Sequence, residues 1–140
     1  MKQAVFLLIL IAGTFVALDL TLGYQLAYSI AFGTISVMAM MISLTFFWLW
    51  MRRETPLALG MSFSWAGAAS VLGWWWLFHV LHQPVIMRES AYLFAFLALY
   101  VVGAVLHFTV MHRSMGVSLA LFAMPILGAI GIAAFVATGL

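Results

Sequence analysis

The chain reads as an all-α integral membrane protein, a bundle of five transmembrane helices with four as the alternative count. Three observations predict this. Hydrophobic residues fill 68% of the 140 positions and charged residues only 6%, against ~45–50% and ~25% in an ordinary soluble domain. A water-soluble fold of this size has too little interior to hide so much apolar surface, so hydrocarbon has to solvate most of the side chains. The apolar positions fall into runs of about 20, the length that crosses a bilayer core of ~30 Å as a helix. Finally, the basic residues collect in alternate breaks between those runs.

The first run covers about 4–20 and follows Lys2. It lacks a small-residue cleavage site before a polar mature segment, so it is expected to stay as a span rather than leave as a signal peptide. The first break holds Asp19, Gly23 and Gln25. It carries one charge and no proline, which leaves open a single long kinked helix through runs one and two. About 46 residues at ~1.5 Å each overshoot one crossing, which favours two spans. The second run, 26–51, stops at Arg52, Arg53, Glu54 and Pro56. The third, 58–81, stops at His82, Gln83 and Pro84, and Arg88 and Glu89 follow in the same break. The fourth, 91–111, stops at His112, Arg113 and Gly116, and the fifth occupies 117–139. No internal repeat, soluble domain or low-complexity tail is expected.

An N-terminus in the cytoplasm places Lys2, Arg52, Arg53 and Arg113 inside and leaves only Arg88 outside. That satisfies the positive-inside rule and sends the C-terminus outside. The aromatic residues agree. Trp48, Trp50 and Trp65 fall near the inner interface, and Tyr24, Tyr28, Trp74, Trp75, Trp76 and Tyr92 near the outer one, where amphipathic rings prefer to sit.

Small residues mark the expected packing faces, because they let helices approach closely in lipid. Ser29, Gly33, Ser36 and Ser43 share one stripe of the second run. The third run carries Gly60, Ser64 and Ala68 in one row and Ser62, Ala66 and Ser70 in another, around Gly67. The fifth carries Gly128 and Gly131 after Pro125, a residue that kinks a helix. Such stripes serve either packing within the chain or docking of another membrane subunit.

Several chemistries are excluded or narrowed by what the chain holds. Without cysteine there is no disulfide or thiolate site. A net charge of +2 gives no clustered basic face for nucleic acid. Asp19, Glu54 and Glu89 are split between the two sides of the membrane, which argues against acid–base work by two carboxylates at one site. No catalytic residues are assigned and no enzyme is expected.

The histidines are the remaining candidates, since an ionisable group within a span is costly and points to function. His79, His82 and His107 are candidate ligands for a haem or pigment, one at a time. The third and fourth runs are antiparallel, and His79 and His107 lie at depths ~24 Å apart, too far to clamp one haem. His79 and His82, with Met87 or Glu89, form an incomplete metal set, copper if thioether completes it and zinc if carboxylate does. Met38, Met40 and Met41 add sulfur at mid-bilayer, where methionine also serves as a gap-filler. The structural alternative for each histidine is a solvated or internally bonded imidazole.

These readings lead to a non-enzymatic accessory or structural subunit of a larger membrane complex, docked through small-residue faces or self-associated, in a bilayer such as the bacterial inner membrane. Two alternatives stand beside it. One is a small oligomeric transporter or channel for a metal ion or small solute, joining Asp19, His79 and His82 to His107. The other is a haem- or pigment-binding subunit using a single histidine. No cofactor is specified by the residues.

Overall fold

The computed structural model describes residues 2–116 and 118–139. Among them there are only helices, turns and short irregular links, with no strand. The order is α1 (Lys2–Leu22), α2 (Tyr24–Arg53), α3 (Pro56–Val80), α4 (Val85–Arg88), α5 (Tyr92–Met115) and α6 (Leu119–Gly139). Four stretches are long and apolar enough to cross a membrane: α1, α2, α3, and α5 counted together with the short α4. The chain is therefore an all-helical protein with the make-up of a multi-pass membrane protein. Within α6 the apolar stretch Ala123–Thr138 is shorter. Val117, the first residue of the expected fifth span, lies outside the described residues.

Each break has a local cause. Gly23 takes φ 83° and ψ 156°, a conformation open to glycine and closed to residues with a Cβ. It therefore separates α1 from α2 with a single residue. Glu54 is left-handed at the end of α2, and its N–H donates to the Trp50 carbonyl at 2.7 Å. Thr55 is extended, as the residue before a proline prefers, and Pro56 opens α3 where a missing N–H costs nothing. The end of α3 is a Schellman motif. The Gln83 N–H donates to the Phe78 carbonyl and the His82 N–H to the His79 carbonyl, with His82 and Gln83 both at positive φ. Gly116, also left-handed, closes α5 on the His112 carbonyl.

The helices form an open row. The central helix α3 packs along α2 on one flank and along α5 on the other, while α1 touches α2 and α6 touches α5 only lightly. The five-helix reading anticipated a compact bundle. The structure instead gives a three-helix centre with two lightly held flanks, because the close small-residue contacts are those of α3 with α2 and with α5.

Small residues make up the interior. Among the described residues the buried positions are Ala27, Gly33, Ser36, Ala39 and Ser43 on α2, Ala58, Gly60, Ser62, Gly67 and Ala69 on α3, and Gly103 on α5. No large side chain is fully buried among the described residues, whereas Ile86 is 85% exposed and Phe94 72%. This inverts the pattern of a water-soluble core, as expected where lipid tails solvate leucine as well as protein does and close packing alone drives association.

The α2–α3 seam is a ladder of hydroxyls. Ser43 Oγ donates to the Ser62 carbonyl at 2.8 Å, and Ser36 Oγ donates to the Ala69 carbonyl at 3.0 Å. Both rungs advance by seven residues, in opposite directions on the two helices, and a seven-residue period keeps one stripe facing its partner. The α3–α5 seam brings backbone against backbone. A Cβ on Gly67 would fall 2.6 Å from the Tyr100 Cα, and one on Gly60 would fall 2.9 Å from the His107 nitrogen. Reciprocally, a Cβ on Gly103 would strike the Ser64 backbone.

The two seams differ in how they fail. Gly67→Val forces α3 and α5 apart and is expected to cost about 3 kcal/mol, the upper end of overpacking. Ser43→Ala removes one interhelical hydroxyl bond and should cost only ~0.6 kcal/mol. Reversible unfolding in mixed micelles, followed by far-UV circular dichroism, measures both. Equal losses would contradict the backbone contact at Gly67.

Candidate functional site

The candidate ligand side chains fall in three places, at the ends of the helices. The most enclosed is a pocket of about 110 Å³ between the N-terminal part of α2 and the C-terminal part of α3. Gln25, Tyr28, Ser29 and Phe32 face it from α2, and Trp75, Trp76, His79 and Val80 from α3. The seam ladder explains its position. Continuing the seven-residue steps from Ser43–Ser62 and Ser36–Ala69 brings Ser29 opposite Trp76. Trp76 fits because Gly33 has no side chain: a Cβ there would lie 2.7 Å from the indole ring. Beyond this bulky residue the helices no longer close on each other.

His79 is held in one orientation. Its Nδ1 lies 2.7 Å from the Trp75 carbonyl oxygen. A carbonyl only accepts, so Nδ1 carries the hydrogen and donates it, and in the neutral ring Nε2 is left with its lone pair. Tyr28 meets the imidazole edge-on across the helix pair, with ring centroids 6.4 Å apart at 69°. Trp75 and Phe78 flank it from its own helix, at 6.1 and 5.7 Å. The Trp76 Nε1 is buried with no acceptor among the described residues. Neutral hydroxyl, amide and imidazole groups thus converge on an aromatic-walled recess with no formally charged residue in its lining.

His107 occupies the opposite end. Its backbone nitrogen abuts Gly60, and its Nδ1 is buried without a hydrogen-bond partner among the described residues. Gly60 and His79 are nineteen positions apart on α3, ~28 Å at the helical rise. The depth argument against a shared haem therefore agrees with the packing observed.

The third place is the α3–α5 connection. Here the structure changes the expected geometry. His82 does not continue the α3 face that carries His79, because its left-handed backbone ends the helix. Met87 lies in α4 and is half-buried, and Glu89 follows it, exposed. Among the described residues no three His, Cys, Asp or Glu side chains gather where they could hold one metal ion.

The small-residue positions divide cleanly. Gly33, Ser36 and Gly67 are buried in the seams, Ser64 backs onto Gly103, and Ser29 and Ala68 are half-buried. Gly128 and Gly131 on α6 meet nothing: a Cβ at either would have no neighbour within 4 Å. Sequence grounds set Trp74, Trp75 and Trp76 beside a single histidine as the wall of a haem or pigment site, but do not group Gln25, Tyr28 or Phe32 with His79. The signal was present in the spacing, since Ser29, Ser36 and Ser43 on α2 and Ser62, Ala69 and Trp76 on α3 share one seven-residue step.

Compared with protein-family models, curated proteins and solved structures, the chain matches none of them.

The orientation of His79 is directly measurable. Nitrogen-15 spectra of ring-labelled protein should show a hydrogen on the His79 Nδ1, in a signal that His79→Gln removes. An Nε2–H tautomer for His79 would mean that the bond to Trp75 is not made.

Proposed function

We propose that the chain is a non-enzymatic subunit of a membrane assembly, crossing the bilayer five times and docking through α6. One observation carries this reading. Gly67 on α3 meets the Tyr100 backbone and Gly103 on α5 the Ser64 backbone, but Gly128 and Gly131 on α6 face open space. A helix surface stripped of side chains makes poor contact with disordered acyl chains and good contact with another helix. The chain builds such surfaces on α2, α3 and α5 and covers them itself. It builds a similar one on α6 and leaves it uncovered.

The 21 residues of α6 reach ~32 Å, enough for a fifth crossing. With five crossings the basic breaks return to one side, which supports a cytoplasmic N-terminus and an external C-terminus; the short connections fit a bacterial inner membrane as the setting.

Transport through a single chain finds less support. The α2–α3 seam is closed by Ser–carbonyl bonds and the α3–α5 seam by backbone contact, so a polar path from His79 to His107 would have to run between copies.

Two experiments test the proposal. Native mass spectrometry after gentle detergent extraction should find the chain with a partner or a second copy. Gly128→Leu combined with Gly131→Leu should release that partner while the helical content stays unchanged. A solitary wild-type monomer would count against the reading. For topology, the absence of native cysteine makes single introduced thiols clean reporters. Ser90→Cys should react with an impermeant maleimide in intact cells, and Ser114→Cys only after permeabilisation; the reverse pattern would invert the orientation.

A further inference from the structure

The pocket between α2 and α3 has a composition that selects for one kind of ligand. We propose that it binds an organic ammonium group, carried either by a free small molecule or by a lipid headgroup. The walls are aromatic: Tyr28 and Phe32 from one helix, Trp75 from the other. Ring faces carry negative electrostatic potential and attract a cation placed over them, more strongly where water is partly excluded.

The polar groups agree with the walls. With Nδ1–H committed to the Trp75 carbonyl, His79 offers Nε2 as an acceptor. Gln25 and Ser29 add oxygen acceptors from the facing helix. A primary ammonium donates its N–H hydrogens to all three, and a quaternary one turns its polarised C–H groups toward them. No lysine or arginine lines the recess, so nothing there repels a cation. An anion would have to be held by neutral donors alone, against the aromatic faces. A carboxylate side chain strengthens the same preference: Asp19 of α1 shares with Tyr28 an adjoining cleft of about 250 Å³. The size also fits. A recess of about 110 Å³ takes a group of a few heavy atoms, for comparison with the ~150 Å³ cavity that holds benzene. It admits the ammonium end of a molecule and leaves the remainder outside.

This proposal is independent of docking through α6. Its test uses the full chain in detergent, titrated calorimetrically with choline and with its uncharged dimethylbutanol isostere, in which carbon replaces nitrogen. A parallel arm incorporates the chain into vesicles of equal phosphatidylcholine and phosphatidylglycerol, extracts it gently, and identifies the retained lipid by native mass spectrometry. If the source is a free molecule, choline binds saturably and the isostere about tenfold more weakly, and Tyr28→Leu or Trp75→Leu lowers choline affinity about tenfold. If the source is a headgroup, free choline binds no better than the isostere, but phosphatidylcholine is retained over phosphatidylglycerol and both variants lose that preference. Neither side chain belongs to the serine or glycine seams, and the choline–isostere comparison requires no variant. The proposal is overturned if choline and isostere are equivalent and the two lipids are retained alike. It is equally overturned if phosphatidylglycerol is preferred, or if the variants change nothing.

Discussion

The close approach of α3 to its two neighbours is the contact on which the rest of the structure depends. In hydrocarbon the backbone has to satisfy its own hydrogen bonds, which makes every long segment helical. Helicity alone does not bring helices together. Lipid tails are as apolar as leucine, so association has to come from short distances and from the few polar groups that can bridge them. In this chain both requirements are met on α3. Its Gly60 and Gly67 admit the α5 backbone, and its Ser62 and Ala69 carbonyls receive hydroxyls from α2. Helices without such faces in contact, α1 and α6, hold on only lightly.

The same constraint determines where a pocket can form. A seam of small residues on both sides leaves no room between helices, so a cavity needs a place where the pattern changes. The change comes at Trp76, one seven-residue step beyond Ala69. The indole lies over Gly33 and keeps the ends of α2 and α3 from closing. The residues beyond it, Tyr28, Gln25 and His79, then face a recess rather than each other's backbones. His79 enters this recess already oriented, because its Nδ1–H returns to a carbonyl one turn back in its own helix.

The sequence made part of this legible and hid part of it. The long apolar runs and the breaks at Arg52–Pro56 and His112–Gly116 were readable, because charge, proline and glycine act locally on the backbone. The serine stripe on α2 was readable for the same reason that it works: its seven-residue spacing is a property of one helix. What one helix cannot show is its partner. Gly103, which α3 meets most closely on α5, stands alone among large residues and belongs to no stripe. His82 appeared to share a face with His79 at helical spacing, and only the left-handed turn separates them. Tyr28 and His79 are 51 positions apart, and nothing in either segment alone announces that they meet.

A row of helices, unlike a closed bundle, has two broad sides and two edges, and each meets the surroundings differently. The sides carry large apolar groups such as Phe94 and Leu8, 72% and 69% exposed, which acyl chains cover as readily as protein would. The edges are different: Gly128 and Gly131 on α6, like Gly13 on α1, have no neighbour within 4 Å. Glycine at positions 128 and 131 removes the side chains that would interdigitate with lipid, and so removes dispersion contacts without removing any cost of exposure. Glycine in a helix interior is also ~0.5–1 kcal/mol less favourable than alanine. Two such residues on the least supported helix weaken it and gain nothing from this chain. A helix approaching that edge as closely as α5 approaches α3 would offset the disadvantage, and the proposed assembly rests on the uncovered glycines rather than on apolar exposure.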